Sequence, residues 1–316
     1  MIFRTLAKIT SVALLTYFLL SLGGGIGLVE IGLRRFTNPV GTQGRRQASA
    51  VAVAARARVE DVSVAAADGI RLTGWLFTPA VPNGDTVVLL HAVGTNRAFS
   101  SALAGLFLSH GYRAVTPDAR GHGDSGGTVP TFGALEADDV RRWVQWAAAG
   151  APAGCVYLMG VSMGGGHALQ ASAAPELCGV IAESGFVSLR EVTFDRVGQA
   201  FGVGDWLGRI VLRPAVETAF VYGRLRDGID YGGASALTTV AGAGAPILLI
   251  HGTDDRNVPV RHAQMVQARN PRRIMLWTVP GAGHADVWGT AGDAYAPRLI
   301  GFLERNRLTA RAMIGR

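Results

Sequence analysis

Cysteine is nearly missing from this chain: its 316 residues hold two, Cys155 and Cys178. Two cysteines cannot build a disulfide-rich scaffold or a cysteine-based zinc site. They read as small core residues or as one disulfide, because each stands at the start of one of two neighbouring expected strands. Charge is also sparse, at 17% against 49% hydrophobic residues, which excludes disorder for most of the length. The formal net charge is +7, yet no long basic run sits among aromatics, so nucleic acid is not indicated as a partner. No internal repeat is present. Much of the basic excess lies early, at Arg34, Arg35, Arg45, Arg46, Arg56 and Arg58, where a membrane surface is the more natural partner.

Charge is wholly absent from residues 9–29, ITSVALLTYFLLSLGGGIGLV. A helix of about twenty apolar residues crosses a hydrocarbon core, so residues 1–35 are expected to form a single-pass membrane anchor. A cleaved signal peptide is the alternative, but the run is long for one, and the clearest small-x-small site lies downstream at Ala48-Ser49-Ala50. Basic residues flank both ends, with more after the span, which leans towards a cytoplasmic catalytic domain. A Cys155–Cys178 bond would argue for the oxidising side instead. Residues 36–58, polar and then rich in Ala and Arg, read as a linker.

From Val59 the pattern changes. VEDVSVAA and IRLTGWLFTP alternate apolar and polar residues around Asp68-Gly69, a hairpin signature. Strands, several running on into a loop, are expected within 86–94, 112–121, 155–162, 178–184, 245–255 and 272–284, and they alternate with helical stretches, which predicts a largely parallel α/β sheet. Ligands of such sheets bind beyond the carboxyl ends of the strands. Residues 187–240 interrupt the rhythm with Phe194, Phe201, Trp206, Phe220 and Tyr222. They are expected to form helices over the sheet, either as packing surface or as a lid-like insertion.

Two segments fit G-x-S-x-G: GDSGG at residues 123–127 and GVSMG at residues 160–164. Ser162 follows an apolar strand and opens a helix, the sharp turn that exposes a nucleophile and aims a helix N-terminus at developing negative charge. Ser125 lacks that setting. A trypsin-like reading of GDSGG would need His and Asp upstream on β-barrels, which the α/β pattern contradicts. The same stretch matches G-x-G-x-x-G but neither follows its strand directly nor opens a helix, so it reads as a glycine-rich turn at the site's rim.

A serine hydroxyl needs a base, and the base needs an acid. LLIHGTDDRNVP places Asp254 and Asp255 past one strand, and VPGAGHAD places His284 past the next. The order Ser, Asp, His suits this architecture. The oxyanion would meet the backbone N–H groups of Met163 and Val93. His91, His122 and His262 have no place in a triad and read as structural or surface groups. His251 reads as a local hydrogen-bonding group and Glu183 as a rim or packing residue.

With these residues in place, the chain resembles the α/β-hydrolase superfamily over about residues 59–310. LLHAVG, PDARGHGDSGG, GVSMGG, HGTDDRNVP and GAGHAD carry the resemblance. It implies an α/β-hydrolase domain over 59–316 and selects Asp255 over Asp254 as the acid. One departure is Ala92, where relatives have glycine after the histidine. The implied activity is that of a serine hydrolase cleaving an ester or thioester of an acyl or lipidic substrate, with Ser162, Asp255 and His284 as triad. An oligopeptidase-like peptidase and a non-catalytic tethered binding protein are the alternatives. No metal or organic cofactor is implied.

Overall fold

The computed structural model describes residues 2–32, 38–200, 202 and 204–314. Arg34, Arg35 and Phe201, singled out above, lie outside them. An eight-stranded sheet forms the centre: β1 (Ala57–Ala65), β2 (Arg71–Pro79), β3 (Thr86–Leu90), β4 (Arg113–Pro117), β5 (Val156–Val161), β6 (Leu177–Glu183), β7 (Ile247–Gly252) and β8 (Ile274–Val279). Their order is β1-β2-β4-β3-β5-β6-β7-β8. β1 and β2 form the expected antiparallel hairpin, β2 meets β4 antiparallel, and all remaining neighbours are parallel.

The central strands are apolar throughout because both faces are covered. Side chains alternate between faces, so Val87 and Leu89 join one core while Val88 and Leu90 join the other. The first core lies beneath α2 (Gly41–Ala54), α3 (Ser101–Leu108) and α12 (Tyr295–Ile314), which contribute Ala48, Leu103 and Leu299. The second lies beneath α4 (Glu136–Ala149), α5 (Met163–Gln170), α9 (Ala236–Ala241) and α10 (Arg261–Gln267), with Trp143, Leu169, Val240 and Val266. A short α11 (Val287–Ala291) precedes α12.

The stretch expected as a linker carries α2. Alanines favour the helix, and Gly44, Ala48 and Ala52 recur every four residues to bury a stripe of small side chains. So small a stripe has little apolar weight, and the sequence pattern therefore hides it. Cys155 and Cys178 are joined as a disulfide, their Cα atoms 5.6 Å apart, between the starts of β5 and β6.

The apolar run lies within α1 (Ile2–Gly32), a helix long and apolar enough to cross a membrane and compatible with an anchor or a signal sequence. Between β6 and β7 run α6 (Leu189–Ala200), α7 (Gly204–Val211), α8 (Arg213–Asp227) and α9. The second half of α1 packs on α8. Ser21, Gly25 and Val29 are buried there, and a Cβ on Gly25 would lie 2.6 Å from the carbonyl oxygen of Ala215. Small residues spaced by four let two helix backbones approach this closely.

Candidate active site

β5 ends at Val161, and the chain turns at once into α5. Ser162 occupies the turn with φ 55° and ψ −113°, and its N–H donates to the carbonyl of Glu183 at 2.8 Å. A left-handed backbone at a non-glycine residue costs about 1–3 kcal/mol and persists only where the surroundings enforce it. Here crowding enforces it: a Cβ on Gly160 would meet the Gly164 carbonyl oxygen at 2.0 Å, and one on Gly164 the Leu90 oxygen at 2.4 Å.

The loops after β7 and β8 bring Asp255 and His284 to this serine. Ser162 Oγ lies 2.8 Å from His284 Nε2, and His284 Nδ1 lies 2.8 Å from Asp255 Oδ2. The other carboxylate oxygen accepts the N–H groups of Asn257 at 3.0 Å and Val258 at 2.9 Å. His251 Nε2 stands 3.3 Å from Asp255 Oδ2 and 2.7 Å from the Val258 carbonyl oxygen. Burial opposes ionisation of Asp255, but the bonds from His251, His284 and Val258 outweigh it and hold the carboxyl well below the usual range. Asp254 is exposed, and its carboxylate accepts the Thr253 hydroxyl at 2.9 Å.

Val93 and Met163 line the same cavity as Ser162 and His284. Met163 opens α5, where the first N–H groups have no intrahelical acceptor. The Ala92 carbonyl is gripped from one side, by His91 Nδ1–H at 2.8 Å and the Thr95 hydroxyl at 2.7 Å. In a trans peptide the N–H opposes the C=O, so this grip turns the N–H of Val93 the other way. His91 Nε2 accepts the Ala119 N–H at 3.0 Å, and burial pushes its pKa down to about 3, keeping the ring neutral.

Ser125 is buried away from this cluster. Its hydroxyl donates to the Asp118 carbonyl at 2.9 Å and accepts the Thr73 N–H at 2.9 Å. Arg97, itself buried, binds Asp118 and Asp124 and lies over the Trp75 ring. GDSGG thus closes a polar turn around an arginine. His122 is buried with Nδ1 against the Arg120 carbonyl oxygen. His262 joins α10 to α6 through Asp195 at 2.8 Å. Glu183 accepts the Tyr295 hydroxyl at 2.5 Å, and burial lifts its pKa to about 6.

The triad-like cluster opens into a cavity of about 570 Å³. Phe132, Phe186, Val192, Val197, Ala219, Phe220 and Tyr231 make its walls largely apolar, and Arg196 and Asn257 supply polar groups. Leu28, Val29 and Gly32 of α1 also line it. Sequence reading missed this wall, because residues so distant in the chain carry no local signal of meeting. The one hint is the four-residue spacing of Ser21, Gly25 and Val29, which marks the face that docks on α8.

Residues 87–298 match the model of the alpha/beta hydrolase family. The chain belongs to that family. It is 26% identical to the uncharacterized protein YqkD of Bacillus subtilis, over 76% of this chain and 78% of the relative. It is 25% identical to the uncharacterized protein YfhR of Escherichia coli K12, over 77% and 80% of the two chains. The esterase Pf2001 of Pyrococcus furiosus superposes with a TM-score of 0.65 at 24% identity, covering 80% of this chain and 93% of the esterase. A puromycin-hydrolyzing peptidase of Mycobacterium tuberculosis superposes with a TM-score of 0.63 at 18% identity, over 81% of this chain and 40% of that one. At these identities the structural likeness speaks to the α/β-hydrolase fold alone.

Proposed function

We propose that this α/β-hydrolase is a membrane-anchored serine hydrolase that cleaves carboxylic esters or thioesters of acyl or lipidic substrates. The observation that carries the reading is the unbroken chain Ser162 Oγ, His284, Asp255, with 2.8 Å at each link, at the end of an apolar cavity. Ser162 Oγ attacks the substrate carbonyl as His284 Nε2 takes its proton. Asp255 accepts the Nδ1–H, which fixes the tautomer and stabilises the imidazolium. The N–H groups of Val93 and Met163 receive the oxyanion. His284 then returns the proton to the leaving alcohol or thiol. Water, deprotonated by the same imidazole, attacks the acyl-enzyme, and the acid leaves.

The cavity lining supports esters over peptides. A peptidase that trims from a free amino terminus needs a carboxylate to hold the ammonium. Among the described residues lining this cavity none is a carboxylate, and Arg196 is a cation. Helix α1 supports attachment to a membrane. The Cys155–Cys178 bond supports an oxidising side for the domain, against the lean of the flanking charges.

The test is a substrate panel on the purified full chain: p-nitrophenyl esters from 2 to 16 carbons, an acyl thioester and peptide anilides. Turnover of the longer esters or of the thioester that vanishes in Ser162→Ala is expected. Turnover limited to short, water-soluble esters contradicts the lipidic assignment, and turnover of peptide anilides alone contradicts the ester assignment.

A further inference from the structure

One helix does two things that are usually separate. From Ile2 to Leu22, α1 exposes Ile9, Val12, Leu15, Phe18, Leu19 and Leu22, side chains suited to lipid. Its far end is part of the active-site wall, through Leu28, Val29 and Gly32. A helix of 31 residues is about 46 Å long, and a hydrocarbon core is about 30 Å thick. Roughly a third of the helix must therefore lie outside the core.

The docked end is held firmly. Glu30 accepts the Tyr222 hydroxyl at 2.8 Å and pairs with Arg226 at 3.0 Å. Leu28 packs against the buried cluster of Phe194, Val197 and Val216 from the insertion. These bonds and the close approach at Gly25 make α1 a fixed wall. An anchor that served only as a tether would need neither.

We infer that α1 is part of the substrate site, with Leu28, Val29 and Gly32 facing a single long acyl chain drawn from the adjoining membrane leaflet. The chemistry performed on that chain rests on the ester reading above. A methylene takes about the volume of a water, ~30 Å³, so the cavity accepts a chain on the order of ten carbons or more. Its polar end falls where Arg196, bonded to the neutral side chains of Asn257 and Gln199, faces the cavity beside the triad loop. Gly32 is the position that sets chain length. It lines the cavity, and a Cβ there would meet nothing within 4 Å among the described residues, so a larger side chain at this point of the wall has room to take up cavity space.

The experiment uses the full chain in phosphatidylcholine nanodiscs and two alkyl fluorophosphonates, of 2 and 16 carbons. The readout is the ratio of their labelling rates, long over short. Gly32→Trp is expected to lower that ratio tenfold or more, with Gly32→Leu falling between. Gly23→Trp makes the same change on the same helix, at an exposed position with open space around it, and is expected to keep the ratio of the unaltered chain. A ratio unmoved by Gly32→Trp, or moved equally by Gly23→Trp, overturns the inference. Absence of any label would instead contradict the hydrolase reading, and a second arm then decides this one. A C16 fatty acid carrying a diazirine should crosslink in Ser162→Ala both to residues 28–32 and to residues 192–197. Crosslinks confined to residues 2–22 overturn the inference.

Discussion

His91 ties two loops together: its Nε2 accepts the N–H of Ala119 at 3.0 Å while its Nδ1–H grips the carbonyl of Ala92. The ring holds the Ala92–Val93 peptide, and in the proposed mechanism the N–H of that peptide meets the oxyanion. Loss of one oxyanion donor costs about 10²–10³ in kcat, and a misaimed donor costs less. His91→Ala is therefore expected to lower kcat by about tenfold to a hundredfold with KM little changed, measured on a p-nitrophenyl ester. A change in KM alone would place the effect in binding.

The two neighbouring aspartates should separate cleanly. Asp255→Asn keeps the shape but leaves His284 Nδ1–H without its carboxylate, which should lower kcat by about 10⁴. Asp254→Asn alters a surface bond to Thr253, and its steady-state constants should stay within about twofold of the unaltered chain.

Acid should destabilise the fold through buried imidazoles, of which His91 and His167 are shifted furthest and His122 less. Burial pushes His91 to about 3 and His167 to about 4, from an ordinary 6.5. Between these values and 6.5 the unfolded chain binds protons that the folded chain refuses. The stability they contribute is complete above pH 6.5 and is lost as pH falls below it. Glu183, raised by burial from 4.5 to about 6, works the other way as pH drops through that interval. Its shift is the smaller, so the histidines dominate. Denaturant titrations should show a loss on the order of 3 kcal/mol between pH 7.5 and pH 5. His167→Gln should flatten part of that slope.

The Cys155–Cys178 bond closes a loop with a sequence separation of 23, for which chain entropy gives about 3 kcal/mol. It sits at the start of β5, whereas Ser162 follows that strand's end, about 20 Å away at the rise of an extended chain. Replacing both cysteines by serine should lower unfolding free energy by about 3 kcal/mol and leave kcat/KM unchanged. A free-thiol assay on protein from an oxidising compartment should find none.

Much of this was readable in the linear chain, for identifiable reasons. The strands announce themselves as short apolar runs because both faces of the sheet are covered. The turn at Ser162 is legible because close backbone approach demands glycine at 160 and 164, and composition records that demand. Other features leave little trace. Helix α2 buries only glycine and alanine, so its stripe has no apolar weight. Asp254 and Asp255 differ in direction, which spacing cannot express, and the family pattern was needed to choose between them. The end of α1 joins the cavity by packing on α8, almost two hundred residues later, and no local periodicity encodes that meeting. The bonds of His91 to Ala92 and Ala119 form only when two loops assemble.

The most direct test of the account is to treat the full chain with a fluorophosphonate probe and map the modified residue by mass spectrometry, with Ser162→Ala and Ser125→Ala alongside. Label on Ser162, lost in Ser162→Ala and retained in Ser125→Ala, is the expected result. Ser125→Ala should instead lower thermal stability, because it leaves the Thr73 N–H without its acceptor, a loss of about 1–3 kcal/mol. Label on Ser125, or none on a folded chain with its cavity open to the probe, would contradict the assignment of Ser162 as the nucleophile.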